Sequence, residues 1–447
     1  MLTIGTAVRD FTPSRPAMLW GQMHVRVAHA AMDPLTLTAM AIEGDGACAI
    51  VIACDLVMVT AELIAAVRCR LGRQLPQVPP EAVLMAATHT HTSLVFEQGH
   101  YAHGGGDVMT AAECLELLVD RAAEAAVEAW QSRRPRCVAS AFGHAVVGHN
   151  RRAVYADGSA VMYGPTNRPD FVGLEGCEDH GLDMLFVREP QGPLAAVVLT
   201  LPCPSQVDEQ LSVYSADFWH DIRLELRRRL GAVTVLGLCG AGGDQSPHLL
   251  LGEPQEEQML RRRGVSQRQE IALRVADAVD RALACTPEAA DAPFARLTRR
   301  VELTSFPISR EHRDWAAAAY QHCRQENQDL SSWWPSRQRK TVEAFDRGLP
   351  WPPRSVELHA LRIARTAIVS NPFELYLDYA FQIKARSPAG QTAVVQLAGG
   401  GEMYLPTERA VRAGGYGAIP AVCHVGPEGG RQLVQASLDM LGELFSR

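Results

Sequence analysis

The sequence lacks the features of a membrane-spanning, secreted or disordered chain. Its most apolar stretch, residues 47–60, contains Asp55 and is shorter than the about 20 residues that cross a bilayer. Arg9 and Asp10 interrupt the N-terminus before any apolar signal-peptide core develops, so the sequence predicts a cytoplasmic protein. No low-complexity tract occurs, and 47% hydrophobic with 21% charged residues is the composition of a protein with a substantial core.

Paired cysteines and an excess of basic charge are also missing. The eleven cysteines show no paired spacing, which argues against a disulfide framework and favours a reducing compartment. The net charge is -7, and the arginine runs at 227–229 and 261–263 lie in helical patterns with acidic neighbours. These runs are typical of solvated helix faces, so no nucleic-acid partner is expected.

A glycine-rich loop at residues 236–247 follows an apolar strand without a nucleotide-binding signature. The loop has no Walker lysine, and Ser246 lacks the Gly-x-Ser-x-Gly elbow of a serine nucleophile. Its glycines allow the backbone to approach a ligand closely. The loop is therefore a candidate ligand contact rather than a nucleotide site.

Short β-branched runs alternate with longer amphipathic runs along the chain. This alternation predicts an α/β (α+β) fold, a sandwich of mixed β-sheets flanked by helices. Residues 1–447 are expected to form one large catalytic domain, with the proline- and alanine-rich segment 286–294 as a surface loop. The main predicted elements are strands at 49–54, 83–86, 194–201, 233–238, 297–303 and 357–362, and helices at 61–75, 110–131, 216–230, 255–284, 374–385 and 429–445.

The strongest local signal is the segment Thr-His-Thr-His at residues 88–91, directly after a buried strand. In an extended chain His89 and His91 point to the same side, so both can face one metal ion, or one can bind it while the other transfers protons. The alternative is a polar loop whose histidines are only hydrogen-bonded.

Four further positions are candidates, although each alone has an ordinary structural explanation. Arg151, after Asn150, can hold an oxyanion or carboxylate, but it also fits a surface arginine pair. Glu374 lies where a strand gives way to an apparent helix, a position that the helix dipole also favours. Tyr404 and Tyr416 flank a glycine-rich loop.

In this order the segments resemble the catalytic domain of the neutral (alkaline, non-lysosomal) ceramidase family, over residues 4–416. The resemblance implies a zinc-dependent hydrolase of amide-like (N-acyl) bonds that binds one Zn²⁺ per chain. By analogy His89, Glu374 and Tyr404 are metal ligands, while His91, Arg151 and Tyr416 act on the substrate. Tyr404 and Tyr416 show the family's spacing of twelve residues.

Three departures from the family pattern qualify the resemblance. The family has a further zinc-binding histidine in a context like residues 201–206, where this chain offers Cys203 as a substitute thiolate ligand, and Asp244 stands where asparagine is usual. One predicted helix follows Tyr416, so the family's C-terminal immunoglobulin-like domain is not expected. These differences leave the substrate, and whether it is a lipid, undetermined.

The resulting hypothesis is attack by metal-activated water on an acyl carbonyl. His91 would transfer protons, Tyr416 and Arg151 would stabilise the oxyanion, and Asn150, Asp244 and Ser246 would contact a small-molecule substrate. Three alternatives remain: a metal-dependent hydrolase of a sugar or lactone, a metal-free hydrolase using Cys203 or Ser246, and a noncatalytic ligand-binding protein. The sequence also leaves a homo-oligomer open.

Overall fold

The structure, a computed structural model, describes residues 2–101, 105–286, 292–330, 332–349 and 351–446. Gly104 of the first glycine-rich loop and residues 287–291 of the predicted surface loop lie outside the described residues. The strands, in chain order, are β1 (Thr3–Asp10), β2 (Ala17–Leu19), β3 (Arg26–Ala28), β4 (Thr36–Gly44), β5 (Ala47–Cys54), β6 (Val83–Ala87), β7 (Arg134–Pro135), β8 (Cys137–His144), β9 (His149–Asn150), β10 (Arg152–Tyr155), β11 (Ala160–Met162), β12 (Phe171–Leu174), β13 (Gly181–Arg188), β14 (Leu194–Leu201), β15 (Thr234–Cys239), β16 (Gln245–Ser246), β17 (Phe294–Leu303), β18 (Arg354–Ile363), β19 (Thr366–Ser370), β20 (Glu374–Leu375), β21 (Gln391–Val395) and β22 (Tyr404–Leu405). The helices are α1 (Ala61–Gln74), α2 (Ala111–Gln131), α3 (Phe218–Leu230), α4 (Glu253–Arg263), α5 (Gln267–Cys285), α6 (Arg310–Gln325), α7 (Trp333–Asp346), α8 (Leu377–Arg386), α9 (Glu408–Ala413) and α10 (Pro427–Phe445).

Three mixed sheets carry most of the strands, which confirms the predicted α/β class. Their strand orders are β6-β5-β4-β1-β7, β15-β14-β13-β8 and β17-β18-β19-β21. Each sheet has one parallel pair, β5/β6, β14/β15 or β19/β21, and its other neighbours are antiparallel. The helices α1, α3 and α8 join the parallel pairs, so each sheet contains a βαβ unit.

The three sheets bury one face each in a shared core. Along β5, Val51 and Ala53 enter this core while Ile50 and Ile52 face the opposite side, as the two-residue period of a strand requires. The same shared core contains apolar side chains from β14 and β15 of the second sheet and from β18, β19 and β21 of the third. Burial of both faces explains why these strands read as nearly continuous apolar runs.

Helices cover the outer face of each sheet. The first sheet packs on α1 and α2, the second on α3 and α5, and the third on α8 and α10. Trp219 of α3 packs so closely on β15 that a Cβ at Gly237 would lie 2.5 Å from its ring. No helix within the described residues is both long and apolar enough to cross a membrane.

Two predicted helices differ from the observed ones. The single helix predicted at 255–284 is wrong: Gly264 adopts a left-handed conformation that ends α4, and Ser266 caps α5 with its side chain. The helix predicted from residue 374 begins instead at Leu377, because Glu374 pairs with Tyr404 in the short parallel ladder of β20 and β22. The helices α6 and α7 and the strands β4 and β13 were not predicted.

Candidate active site

The candidate residues converge where loops leave the carboxyl ends of the parallel strands. His89 and His91 follow β6, Gln206 follows β14, residues 240–244 follow β15, and Glu374 follows β19. Backbone bridges between Ala86 and Ala398 and between Gly240 and Val395 hold these ends together. Ligands in open α/β sheets commonly bind outside the carboxyl ends of strands, and this site has that position.

His89 is held in an uncommon backbone conformation with one ring nitrogen already engaged. Its φ is 65°, and its N–H donates to the carbonyl of Leu56 at 2.9 Å. The ring Nδ1 lies 2.7 Å from the carbonyl of Val57, which requires the proton to be on Nδ1. The Nε2 lone pair of His89 therefore faces the site and is free to bind a metal ion.

His91 meets His89 edge to face rather than along an extended strand. The two rings are 4.9 Å apart with an interplanar angle of 82°, and their Nε2 atoms are 3.4 Å apart. The predicted proximity therefore occurs, but through a turn instead of strand alternation. Burial, followed by His89 and the Arg26 and Arg151 cations, lowers the pKa of His91 well below its usual range, so the ring is a neutral base.

One amide and one carboxylate, which the sequence did not single out, orient His91. The side-chain amide of Gln206 lies 2.7 Å from His91 Nε2, and a Glu209 carboxylate oxygen lies 3.4 Å from His91 Nδ1. Arg26 donates to the backbone carbonyls of His91 and Glu209 at 2.6 and 2.8 Å, which joins the two loops. Gly21 permits this packing, because a Cβ there would lie 2.5 Å from the His91 ring.

Glu374 and Tyr404 are brought side by side by the backbone pairing of β20 with β22. A carboxylate oxygen of Glu374 lies 3.5 Å from His89 Nε2. Burial, and then the Glu374 carboxylate, raises the pKa of Tyr404 well above its usual range. The three polar groups of His89, Glu374 and Tyr404 therefore occupy one small volume.

Arg151 is buried behind Tyr404, and Tyr416 lies beside it. Arg151 donates to the carbonyl of Gly243 at 2.9 Å, to Tyr163 at 3.1 Å and to Tyr404 at 3.4 Å. Burial acts to lower the pKa of Arg151, but Tyr163, Tyr404 and Glu374 outweigh it and raise the pKa, so the cation persists. The Tyr416 ring lies 5.5 Å from the Tyr404 ring, and burial first, then Glu374, raises its pKa above the usual range.

A cavity of about 430 Å³, called here the central cavity, opens onto part of this group. The candidate residues that line it are His89, His91, Glu374, Tyr404 and Tyr416. Trp20, Met58, Trp333 and Met403 add apolar wall, and Glu97, His100, Arg337, Arg354, Glu402 and His424 add polar wall. A concave site that combines apolar walls with convergent polar groups is the usual form of a small-molecule site, and the central cavity has a large polar share.

At one end of the central cavity, the separation of two candidate ligands agrees with the spacing of donors around a zinc ion. Among the described residues no group of three or more His, Cys, Asp or Glu side chains is arranged to hold a metal ion. The candidate set contains only two such side chains, His89 and Glu374, and its third donor is the phenol of Tyr404. Ligand atoms around tetrahedral zinc lie about 3.4 Å apart, which agrees with the 3.5 Å between His89 Nε2 and Glu374.

Cys203 is not brought into this group. Its side chain is fully buried in the apolar cluster between the second sheet and α3, and its thiol donates to the carbonyl of Pro204 at 3.4 Å. Burial raises the pKa of Cys203 well above its usual range, which disfavours the thiolate that binds zinc or attacks a carbonyl. Gln206, three residues on, is the side chain of this segment that reaches His91.

The other predicted substrate-binding residues contact protein groups instead of the central cavity. Asn150 donates to Asp244 at 3.2 Å, and Asp244 accepts the backbone N–H of Leu377 at the start of α8 at 3.0 Å. Ser246 accepts from Tyr163 at 3.0 Å. Like Arg151, these three side chains are buried and are not among the residues that line the central cavity.

Comparisons with known proteins identify the fold. No protein-family model and no curated protein sequence matches this chain. A solved neutral ceramidase from Pseudomonas aeruginosa matches 99% of this chain and 74% of its own length, with a TM-score of 0.74 and 17% sequence identity. A ceramidase complexed with C2 matches 100% of this chain and 75% of its own length, with a TM-score of 0.71 and 17% identity.

The match extends over essentially the whole chain, and it is a likeness of structure at low sequence identity. The resemblance that the motifs indicate therefore holds at the level of architecture. The chain has the fold of neutral ceramidase.

Proposed function

We propose that this protein is a metal-dependent hydrolase that cleaves an amide-like (N-acyl) bond of a small molecule in the central cavity. The observation that carries the proposal is the convergence of His89, Glu374 and Tyr404 beside His91 and Tyr416 on the wall of one cavity. The ceramidase fold supports cleavage of an amide bond. Fold analogy alone leaves the identity of the substrate open. We further propose that the three sheets form one catalytic domain. We also propose that the protein works in a reducing compartment, because all eleven cysteines are free.

His89, Glu374 and Tyr404 would hold the metal ion, which we propose to be zinc. When bound, zinc lowers the pKa of water towards about 7 and polarises a carbonyl. Arg151 stands 3.4 Å behind the Tyr404 hydroxyl, so it favours negative charge on that oxygen. Cys203 has no part in this set because its thiol is buried elsewhere.

The remaining cavity residues supply proton transfer and carbonyl binding. His91 takes a proton from the attacking water and returns it to the leaving amine, while Glu209, 3.4 Å from His91 Nδ1, stabilises the imidazolium between the two steps. Tyr416 donates to the carbonyl oxygen as it gains negative charge. The C–N bond breaks, a C–O bond forms, and both protons of the water end on the leaving nitrogen, so the products are a carboxylate and a protonated amine.

Metal content and turnover of paired variants test these roles. On protein purified without an affinity tag, elemental mass spectrometry should find about one zinc per chain in the wild type and in Tyr416→Phe, but not in Glu374→Gln. Tyr416→Phe should lower kcat on N-acyl substrates by about 10²–10³-fold. Tyr320→Phe, on α6 and away from the cavity lining, is the matched control.

Two results would overturn the proposal. A wild-type chain without metal, and with none regained on adding zinc, would exclude the proposed metal-dependent hydrolase. Equal loss of metal in Tyr416→Phe and Glu374→Gln would contradict the separation of ligand and carbonyl donor. A panel of amide, lactone and glycoside substrates distinguishes amide cleavage from the other hydrolytic activities.

A further inference from the structure

A second cavity of about 450 Å³ adjoins the central cavity and differs from it in charge. We call it the basic pocket. Its wall includes Arg337, Lys340, Trp351, Arg354 and His424, and several of these residues also line the central cavity. A molecule with its amide near Tyr416 can therefore extend into the basic pocket without leaving the protein surface.

The helix α7 supplies one side of the basic pocket. Trp333, Arg337 and Lys340 follow the three- and four-residue spacing that places side chains on one face of a helix. The Arg337 guanidinium lies 5.6 Å from the centre of the Trp333 ring, a cation–π contact that orients it. Strand β18 brings Arg354 to the opposite side.

Hydrogen-bond donors outnumber acceptors between these two sides. Arg337 approaches His424 Nε2 at 2.8 Å, and Arg354 approaches His424 Nδ1 from the other side. A neutral imidazole has only one acceptor nitrogen, whereas a guanidinium has donors alone. Burial first, and then Arg337, Arg354 and Lys340, lowers the pKa of His424 to about 3, so the ring is neutral and satisfies only one arginine.

Two further donors of the basic pocket have no partner. Arg354 Nε and Trp351 Nε1 are buried and make no hydrogen bond to any group in the described part of the chain. The Trp351 ring lies 5.1 Å from the His424 ring, so both orphan donors belong to the same cluster. Buried N–H groups without an acceptor are costly, which favours binding of an acceptor-rich ligand.

Nearby carboxylates balance only part of the positive charge of the cluster. Glu402 comes within 3.8 Å of Arg354 Nε, beyond hydrogen-bond distance, and Glu97 is an exposed side chain at the rim. The basic pocket thus presents two guanidinium groups and one ammonium group to its contents.

We propose that the basic pocket binds an anionic group, a carboxylate or phosphate, carried by the molecule whose amide lies in the central cavity. The position of the amide in this inference rests on the proposed function, whereas the anion site itself is argued from the contacts of the basic pocket. Arg337 and Arg354 form charge-assisted hydrogen bonds to the anion, and His424 and Trp351 donate from between them. The substrate class is an anionic N-acyl compound.

Binding of matched carboxylate and amide probes to the full chain tests the proposal by calorimetry. One pair is N-octanoylglycine and N-octanoylglycinamide, with the charge on the amine side; the other is N-octylsuccinamic acid and its terminal amide, with the charge on the acyl side. The wild type should prefer the carboxylate of at least one pair by about 10- to 100-fold, the range for hydrogen bonds to charged groups.

The preference should fall to within about threefold in Arg337→Met and in Arg354→Met. Arg339→Met is the matched control: Arg339 lies on the same helix but pairs with Glu343 at 2.7 Å outside the pocket, so this variant should keep the preference. If Arg337→Met does not fold, Arg354→Met and Lys340→Met still decide the question.

Four outcomes separate the anion site from the proposed function. Equal binding of carboxylate and amide in both pairs would overturn the anion site. Inorganic phosphate that binds without competing with either carboxylate probe would also overturn it, since the ion would then occupy a different place. Preferential carboxylate binding that competes with phosphate supports it, even if neither probe is hydrolysed and the proposed function fails. Hydrolysis of charged and neutral probes with equal kcat/KM would retain the function and overturn the anion site.

Discussion

The buried ion pair between Arg223 and Asp55 supports one edge of the candidate active site. Both guanidinium NH₂ groups of Arg223 bind the Asp55 carboxylate, at 2.7 and 2.9 Å, and the two side chains are 6% and 0% exposed. Asp55 also accepts from Thr36 at 2.8 Å and from Thr88 at 3.3 Å. Since Thr88 precedes His89, the pair connects α3 to the segment that bears the histidines.

Arg223→Met should destabilise the protein strongly. The methionine fills much of the space, but the Asp55 carboxylate then lacks its counter-ion in a site that water does not reach. Removing one partner of a buried ion pair typically costs about 3–5 kcal/mol, because the other charge is left uncompensated. Exposed arginines change the free energy of unfolding by less than about 0.5 kcal/mol, so Arg227→Met on the same helix is the matched control.

Urea unfolding at pH 7, followed by tryptophan fluorescence, measures both effects. Adding Asp55→Asn to Arg223→Met removes the unpaired charge, so the double variant should be more stable than Arg223→Met alone. A loss below about 1 kcal/mol in Arg223→Met would refute the reasoning. So would a double variant no more stable than the single one, because the loss would then come from packing rather than from charge.

Two further predictions concern stability. Burial acts to raise the pKa of Glu357, but hydrogen bonds from His359 and Arg68 outweigh it and lower the pKa to about 2, so folding stabilises the ionised form. Glu357→Gln should therefore reduce the free energy of unfolding by about 3 kcal/mol at pH 7. In urea titrations this difference should shrink as the pH falls below 4.5 towards 2. A difference between the two proteins that does not change with pH would contradict this assignment. Gly237→Ala should destabilise the protein by about 1–3 kcal/mol, because the new methyl group would lie 2.5 Å from the Trp219 ring. The control is Gly72→Ala on an exposed turn of α1, where a Cβ meets nothing within 4 Å, and it should be neutral or stabilising. Thermal denaturation of both variants measures the difference.

Local patterns predicted the elements whose burial and periodicity are strong. The strand at 194–201 coincides with β14, and the helix at 61–75 differs from α1 by one residue at its end. These segments form because their apolar period matches their secondary structure whatever they pack against. The helical hairpin of α6 and α7 was missed because its sequence is polar and few of its residues are buried.

The sequence by itself determined which side chains are available for chemistry: His89, His91, Glu374, Tyr404 and Tyr416 were all identifiable, and all line the central cavity. Only the tertiary structure decided their neighbours. Glu374 reaches the site through its pairing with Tyr404 rather than as the first residue of a helix. The placement of Cys203 in the core and of Gln206 beside His91 also depends on the path of the chain after β14.

The same distinction applies to charge. Arg337 and Arg354 are ordinary surface-type residues in the sequence, 17 positions apart on a helix and a strand. They come together only because the fold places both against the two ring nitrogens of His424. Residue type and period are local properties that a sequence displays, whereas convergence of distant side chains follows from how sheets and helices pack, which no local pattern encodes.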